Sequence, residues 1–186
     1  MDYVILVSEK GEILGTAPKL ATHNAHTPLH LAFSIFLFNS KGEVLLQQRS
    51  HTKKTWPLVW SHACCGHQKL DEKLELTAKN RMEFEMGITD ALLTLILPDF
   101  RYTCELNGIV ENEICPVFVG ITDQQPHINP DEVENYQWMS WEKWLEEVKK
   151  RPEDYAYWCI KETNELLMSP LFHQFFQREI KKVKSK

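Results

Sequence analysis

Short apolar runs separated by turn signals fill the chain as far as residue 140. Tyr3–Val7 and Ile13–Thr16 flank the polar stretch E9-K-G-E12 and predict a hairpin. The stretch K19-L-A-T-H-N-A-H-T-P-L-H30 has no periodicity and predicts a loop. L31-A-F-S-I-F-L-F-N-S40 is rich in β-forming residues, K41-G-E43 turns the chain, and V44-L-L-Q-Q-R49 returns as the arm of a second hairpin. His51–Val59, with Pro57 and two lysines, reads as loop, and Trp60–Cys65 as an extended entry into Gly66. Asp71 stands where it can cap a helix running to about Glu85 and stopping at Gly87. Ala91–Glu105 and Ile109–Thr122 predict two long strands joined at L106-N-G108, because Asn-Gly supplies the left-handed residues of a tight hairpin turn. Glu132–Met139 predicts a further strand.

After Ser140 the period changes. Trp141, Trp144, Leu145 and Val148 recur at i, i+3, i+4 and i+7, the stripe of an amphipathic helix with Ser140 as its cap. From about residue 153 onward the chain reads as helical, with Pro170 as a break. The pattern predicts an α/β (α+β) fold: a mixed, largely hairpin-built sheet flanked by helices, with a helical C-terminal part. No linker or repeat interrupts it, so residues 1–186 are expected to form a single domain.

Composition narrows the partners. A length of 186 residues suffices for one buried core, and 43% hydrophobic with 25% charged residues is the balance of a soluble globular protein. A net charge of −5 gives no reason to expect nucleic acid or a membrane surface. The basic tail K181-K-V-K-S-K186 reads as a solvated, frayed helix end. No apolar run approaches the ~18 residues of a membrane span, and M1-D-Y-V-I-L-V-S8 is too short and too acidic for a secretory signal. Five cysteines without regular spacing suit free thiols in a reducing, cytoplasmic setting.

The segment H62-A-C-C-G-H67 has the composition of a zinc knuckle but not its spacing. Structural zinc sites separate paired cysteines by two to four residues, whereas Cys64 and Cys65 are adjacent and, on a strand, face opposite ways. Alternation pairs Cys65 with His67 and, on the other face, His62 with Cys64. A second cluster, G108-I-V-E-N-E-I-C-P-V-F118, sets Glu111 and Glu113 on one face of a strand, roughly 6–7 Å apart. Two acids among apolar neighbours call for a cation between them. With His23, His30 and His67 they offer three imidazoles and two carboxylates, a donor set for a hexacoordinate Mn²⁺, Mg²⁺ or Zn²⁺.

The spacing of Gly66, Glu72, Glu85, Gly87 and Ile88 resembles the Nudix box, a loop–helix–loop that holds Mg²⁺ against a diphosphate. The box's Arg-Glu pair falls on Asn80-Arg81, and one of its late glutamates falls on Phe84. Loss of two carboxylates argues against ordinary Nudix hydrolysis, which needs several acids for metals and water. Arg81 is either a phosphate contact or the i,i+4 partner of Glu85.

The constellation is similar to one branch, the type I isopentenyl diphosphate isomerases. The likeness runs from about residue 3 to residue 160. It is carried by H23-N-A-H-T-P-L-H-L-A-F33, S61-H-A-C-C-G-H67, P98-D-F-R-Y102, the Glu111/Glu113 segment and D131-E-V-E-N-Y-Q-W138. The resemblance implies a Nudix-like fold and interconversion of isopentenyl and dimethylallyl diphosphate. It implies Cys65, the cysteine directly before Gly-His, and Glu113 as the proton-transfer pair, with Tyr102 tuning Glu113 and Trp158 facing the carbocation. It further implies a metal on His23, His30, His67, Glu111 and Glu113. A Mg²⁺ would sit on Glu85 and the diphosphate, helped by the Cys65 carbonyl, with Lys19, Arg49, Lys53, Gly66 and Arg81 around the phosphates. The expected partner is a small diphosphate, met by a monomer or weak homodimer. The alternatives are a Nudix pyrophosphohydrolase acting on a nucleotide diphosphate, and a non-catalytic module that binds metal or diphosphate.

Overall fold

The computed structural model describes residues 2–181, so the predicted frayed tail lies outside the described residues apart from the backbone of Lys181. The chain runs β1 (Tyr3–Val7), β2 (Ile13–Pro18), α1 (Lys19–Thr22), β3 (His30–Phe38), β4 (Glu43–Arg49), β5 (Trp60–His62) and β6 (Cys64–His67). It continues through α2 (Leu74–Met86), β7 (Leu92–Leu97), β8 (Arg101–Leu106), β9 (Ile109–Ile114), β10 (Val117–Ile121) and β11 (Val133–Ser140). It closes with α3 (Trp141–Lys150), α4 (Tyr157–Met168) and α5 (Pro170–Phe176).

The apolar run at 31–38 becomes the strand on which the others are registered. Its side chains alternate between two cores. Ala32, Phe36 and Phe38 pack beneath α3, α4 and α5, while Phe33, Ile35 and Leu37 pack against Ala78, Met82 and Met86 of α2. A strand buried on both faces has to be apolar throughout, which is why it reads as a continuous run. Along its edges β3 meets β9 in parallel at His30↔Glu113, β6 antiparallel from Ala32↔His67 to Ile35↔Cys64, and β10 in parallel from Ser34↔Val117 onward. This is the mixed sheet with helices on both faces that the pattern predicts.

Local signals set most boundaries. Gly87 ends α2 in the left-handed region (φ +65°), Asn107 and Gly108 (φ +53° and +78°) turn β8 into β9, and the Ser140 hydroxyl accepts the Lys143 N–H at the start of α3. Ser169 caps α5 with Pro170 in its first turn.

Other expectations are corrected. The two long strands are four, because Pro98 and Pro116 fall in the gaps between β7 and β8 and between β9 and β10, where a ladder cannot use a residue without an N–H. Asp71 caps nothing: it sits at φ +61°, and α2 begins three residues later behind Lys73. The K41-G-E43 turn exists, but β3 and β4 share only Phe38↔Val44 before β6 takes the place beside β3 and β4 leaves to pair with β5 and β11. The stretch after Pro18 contains one helical turn, α1, where a loop was expected. A bend at Ala63 breaks the alternation of 62–67: His62 joins Phe36 on the α4 side, and Cys64 packs with Ala78 and Met82.

Candidate active site

Strands β6 and β9 bring their polar residues to one end of β3, where α1 and α4 close a cavity of about 640 Å³. The innermost group is imidazole and carboxylate. His23 ends α1, His30 opens β3, His67 ends β6, and Glu111 and Glu113 face them from β9. One donor atom from each of the five lies within 4.8 Å of all the others. The His23 Nδ1–H donates to the Lys19 carbonyl at 2.7 Å and the His30 Nδ1–H to the Pro28 carbonyl at 2.9 Å. A carbonyl only accepts, so each Nε2 is left with a lone pair. Those lone pairs point at carboxylates: His23 Nε2 is 3.1 Å from Glu111, and His30 and His67 are 3.4 and 3.3 Å from Glu113. All three Nε2 atoms and Glu111 Oε2 are buried without a hydrogen bond. Lone pair against lone pair in a buried site needs a positive species between them, and backbone bonds that fix the tautomer are how a metal-ligating histidine is held. The set fits a divalent ion of the O/N-preferring class.

Electrostatics agree with the geometry. Burial would lower His23, but Glu111 outweighs it and raises it; burial raises Glu111. Burial pushes His67 down to about 3, leaving a neutral ligand. Burial alone would raise Glu113, but His30 and His67 prevail and hold it below the ordinary carboxylate range.

Beside this group lies a second wall of the cavity. Tyr102 on β8 donates its phenol to Glu113 Oε2 at 2.7 Å, and burial together with Glu113 keeps that phenol protonated. Cys65 lines the same cavity from β6, with the Arg49 guanidinium 3.9 Å from its sulfur. Burial pushes the Cys65 thiol up to about 12 against the pull of Arg49, so sulfur keeps its proton through the neutral range. Alkylation of Cys65, followed by mass spectrometry, is therefore expected to keep accelerating through pH 9, where an ordinary thiol of pKa about 8.5 levels off. Trp158 completes the wall, its ring centroid 5.9 Å from Tyr102, 5.4 Å from Trp56 and 5.9 Å from the Arg49 guanidinium carbon.

The third part is cationic. Arg81 meets Glu85 at 2.5 Å and Glu132 at 2.6 Å, Lys53 pairs with Glu132, and Gln47 donates to Glu85 at 3.2 Å. Burial and the neighbouring charges of Arg81, Lys53 and Arg49 lower Lys19, which marks four cations crowded about one space. Glu132, raised by burial but lowered more by Arg81 and Lys53, is their counter-ion. Gly66 lets the parts approach: a Cβ there would lie 3.0 Å from the Phe33 ring and 3.2 Å from the Arg81 stem. Phe33 is fully buried and cannot yield, so Gly66→Ala is expected to cost about 1–3 kcal/mol in a urea melt, the range of overpacking substitutions.

All the residues singled out from the sequence converge here; Arg49, tied to the carbonyls of Thr55 and Trp56, borders both the Cys65–Trp158 wall and the cationic part of the cavity. Arg81 is indeed the i,i+4 partner of Glu85, and it reaches Glu132 as well. Sequence reasoning missed Glu132, Gln47 and Trp56. Glu132 lies inside the quoted D131-E-V-E stretch, but its partners are 79 and 51 positions away and carry no local signal.

Residues 28–159 match the NUDIX domain. Among curated proteins, an isopentenyl-diphosphate Delta-isomerase of Saccharopolyspora erythraea is 43% identical over 90% of this chain and 87% of its own length. One from Enterobacter is 44% identical over 87% of this chain and 88% of its own. A crystal structure of a Deinococcus radiodurans protein superposes with a TM-score of 0.63 at 17% identity, covering 80% of this chain and 89% of that one, a likeness of fold alone.

Proposed function

The chain belongs to the NUDIX family and, within it, to the isopentenyl-diphosphate Delta-isomerases, and from that premise we propose that Cys65 and Glu113 are its proton-transfer pair. It interconverts isopentenyl and dimethylallyl diphosphate, moving a double bond by one carbon. An unactivated alkene must gain a proton at its terminal carbon and lose one from C2, passing through a species with tertiary-cation character. That requires two proton carriers in a dry cavity. The observation that carries this reading is a half-buried thiol and a Tyr102-bonded carboxylate lining one cavity. Cys65 holds its proton at neutral pH, and Glu113, held ionised, is open to one. Tyr102 keeps the Glu113 carboxylate aimed and shields its second oxygen.

Trp158 presents a π face to the developing cation, worth about 2 kcal/mol or more in a desolvated site. Lys19, Lys53 and Arg81 receive the diphosphate, exchanging their contacts with Glu132 for phosphate oxygens. Gly66 lets the phosphates lie close to the backbone, and Arg49, on the same cavity, adds its charge to theirs while bracing the thiol wall.

His23, His30, His67, Glu111 and Glu113 would hold Mn²⁺, Mg²⁺ or Zn²⁺, and Glu85 with the Cys65 carbonyl would hold Mg²⁺ on the diphosphate. Such ions neutralise the paired carboxylates and the phosphates. We further read residues 1–186 as one domain, a monomer or weak homodimer of the cytoplasm, with no nucleic-acid or membrane partner. The free thiols and the charge of −5 support this. No helix among the described residues is long and apolar enough to cross a membrane.

Incubation with isopentenyl diphosphate in heavy water tests the reaction. Deuterium at C2 and C4 of the recovered substrate and product is expected. Phosphate release from nucleotide diphosphates without such labelling would favour the hydrolase, against which the exposed Phe84 at an acidic position of the box argues. Tight binding with no labelling under any metal would favour the non-catalytic module.

A further inference from the structure

Behind the cavity wall lies a pair of ionisable side chains for which the reaction has no direct use. His62 on β5 and Glu162 on α4 are both fully buried, with Nε2 and Oε2 2.9 Å apart. Neither lines the cavity. A polar pair with no solvent contact adds little to stability over apolar residues of the same volume. Its partners suggest a geometric task instead. His62 lies three residues before Cys65, and Glu162 lies one helical turn beyond Trp158. The other Glu162 oxygen is 3.9 Å from the Cys115 sulfur, which contacts the Ser34 hydroxyl at 3.3 Å. Cys115 follows Glu113 by two positions, and Ser34 is the strand partner of Cys65. One carboxylate thus joins α4 to β5 and to the residue that follows β9, each two or three positions from a proton-transfer residue.

Trp158 needs such an anchor. Its Nε1 is buried without a hydrogen bond, so no hydrogen bond of its own orients the ring. The ring packs on Tyr102 and Trp56 with the Arg49 guanidinium carbon 5.9 Å from its centroid, and its angle follows from how α4 sits on β5.

We infer that His62 and Glu162 are positioning residues of the isomerase: their buried contact pins α4 to β5 and so aims the Trp158 face at the reacting carbons opposite Cys65. This rests on the reading that Trp158 stabilises the cation. The effect should appear in kcat rather than KM, because the cation exists only on the way to the transition state and the diphosphate cradle sits elsewhere.

The test is steady-state kinetics on the metal-loaded enzyme, with melting temperatures alongside. Glu162→Leu and His62→Leu are expected to lower kcat about 10–100-fold, the scale of a misplacement near 1 Å, with KM within about twofold of the parent. His62→Gln/Glu162→Gln, which can make one polar contact of similar reach, is expected to recover most of kcat. Glu162→Gln combined with Trp158→Phe is expected to lose little more than Trp158→Phe alone, since both act through one ring. Losses that multiply in that combination, failure of the paired glutamines to recover kcat at an undiminished melting temperature, or parallel changes in KM would overturn the inference. If the leucine variants do not fold, the glutamine variants and the Trp158 combination decide. A Trp158→Phe enzyme with unchanged kcat would overturn the cation reading and this inference together. A slow Trp158→Phe beside a folded, fully active Glu162→Leu would overturn the inference alone.

Discussion

Cys65→Ala lowers isomerisation by about 10²–10⁴-fold, the span that one general acid or base contributes, while diphosphate binding persists. The reason is positional. Cys65 presents the thiol in the cavity wall opposite Glu113, in surroundings that keep it protonated. Alanine fills the same backbone slot of β6 and leaves Arg81, Lys53 and Lys19 untouched, so the cradle still binds. Glu113→Gln is expected to fall at least as far, because it removes the other proton carrier and the acceptor of the Tyr102 phenol together. Cys64→Ala provides the contrast. Its side chain is fully buried against α2, away from the cavity, so it should lower stability and leave kcat near the parent value. Rates of isomer exchange and calorimetric titration with substrate separate the cases. Undiminished turnover in both Cys65→Ala and Glu113→Gln would refute the assignment.

Stripping the enzyme with a strong chelator should abolish turnover and lower the melting temperature, and both should return on adding Mn²⁺ or Mg²⁺. The driving term is the His23–His30–His67–Glu111–Glu113 group, in which buried lone pairs face one another. An ion that binds only the folded arrangement stabilises it by RT ln(1 + [L]/Kd), about 2.7 kcal/mol at a hundredfold excess over Kd. Glu111→Gln should weaken this response, because it removes the carboxylate that faces His23 without touching Tyr102 or Cys65. Calorimetric melts with and without metal measure the shift. A melting temperature indifferent to chelator and metal would count against the site.

The sequence revealed those parts of the fold that are decided locally. The Asn107-Gly108 turn, the stop at Gly87, the Ser140 cap and the two-sided burial of residues 31–38 each follow from a few neighbouring side chains. The strand breaks at Pro98 and Pro116 are local too, but the apolar character of the flanking residues masked them. Where β6 displaces β4 from the side of β3, no nearby residue announces it; the competition is settled by packing against α2 and α4. Within the site, the metal donors stood out because histidine and paired acids are conspicuous in apolar company, whereas Cys65 is told from its neighbour Cys64 by the family resemblance. Glu132 and the His62–Glu162 pair did not, since their meaning lies in partners supplied by other elements.

The arrangement around β3 also bears on how the protein is made. Its neighbours β6, β9 and β10 all follow it in the chain, and Ser34 waits for Cys115, 81 positions later. During synthesis that apolar strand therefore emerges well before the partners that cover its edges. Such long-range pairing folds slowly and leaves a bare strand exposed to other chains. The donor cluster cannot form in a nascent chain that ends before β9, nor the thiol wall in one that ends before α4. Truncated or stalled products are thus inert and prone to aggregate, and the yield of active enzyme depends on how well that interval is protected.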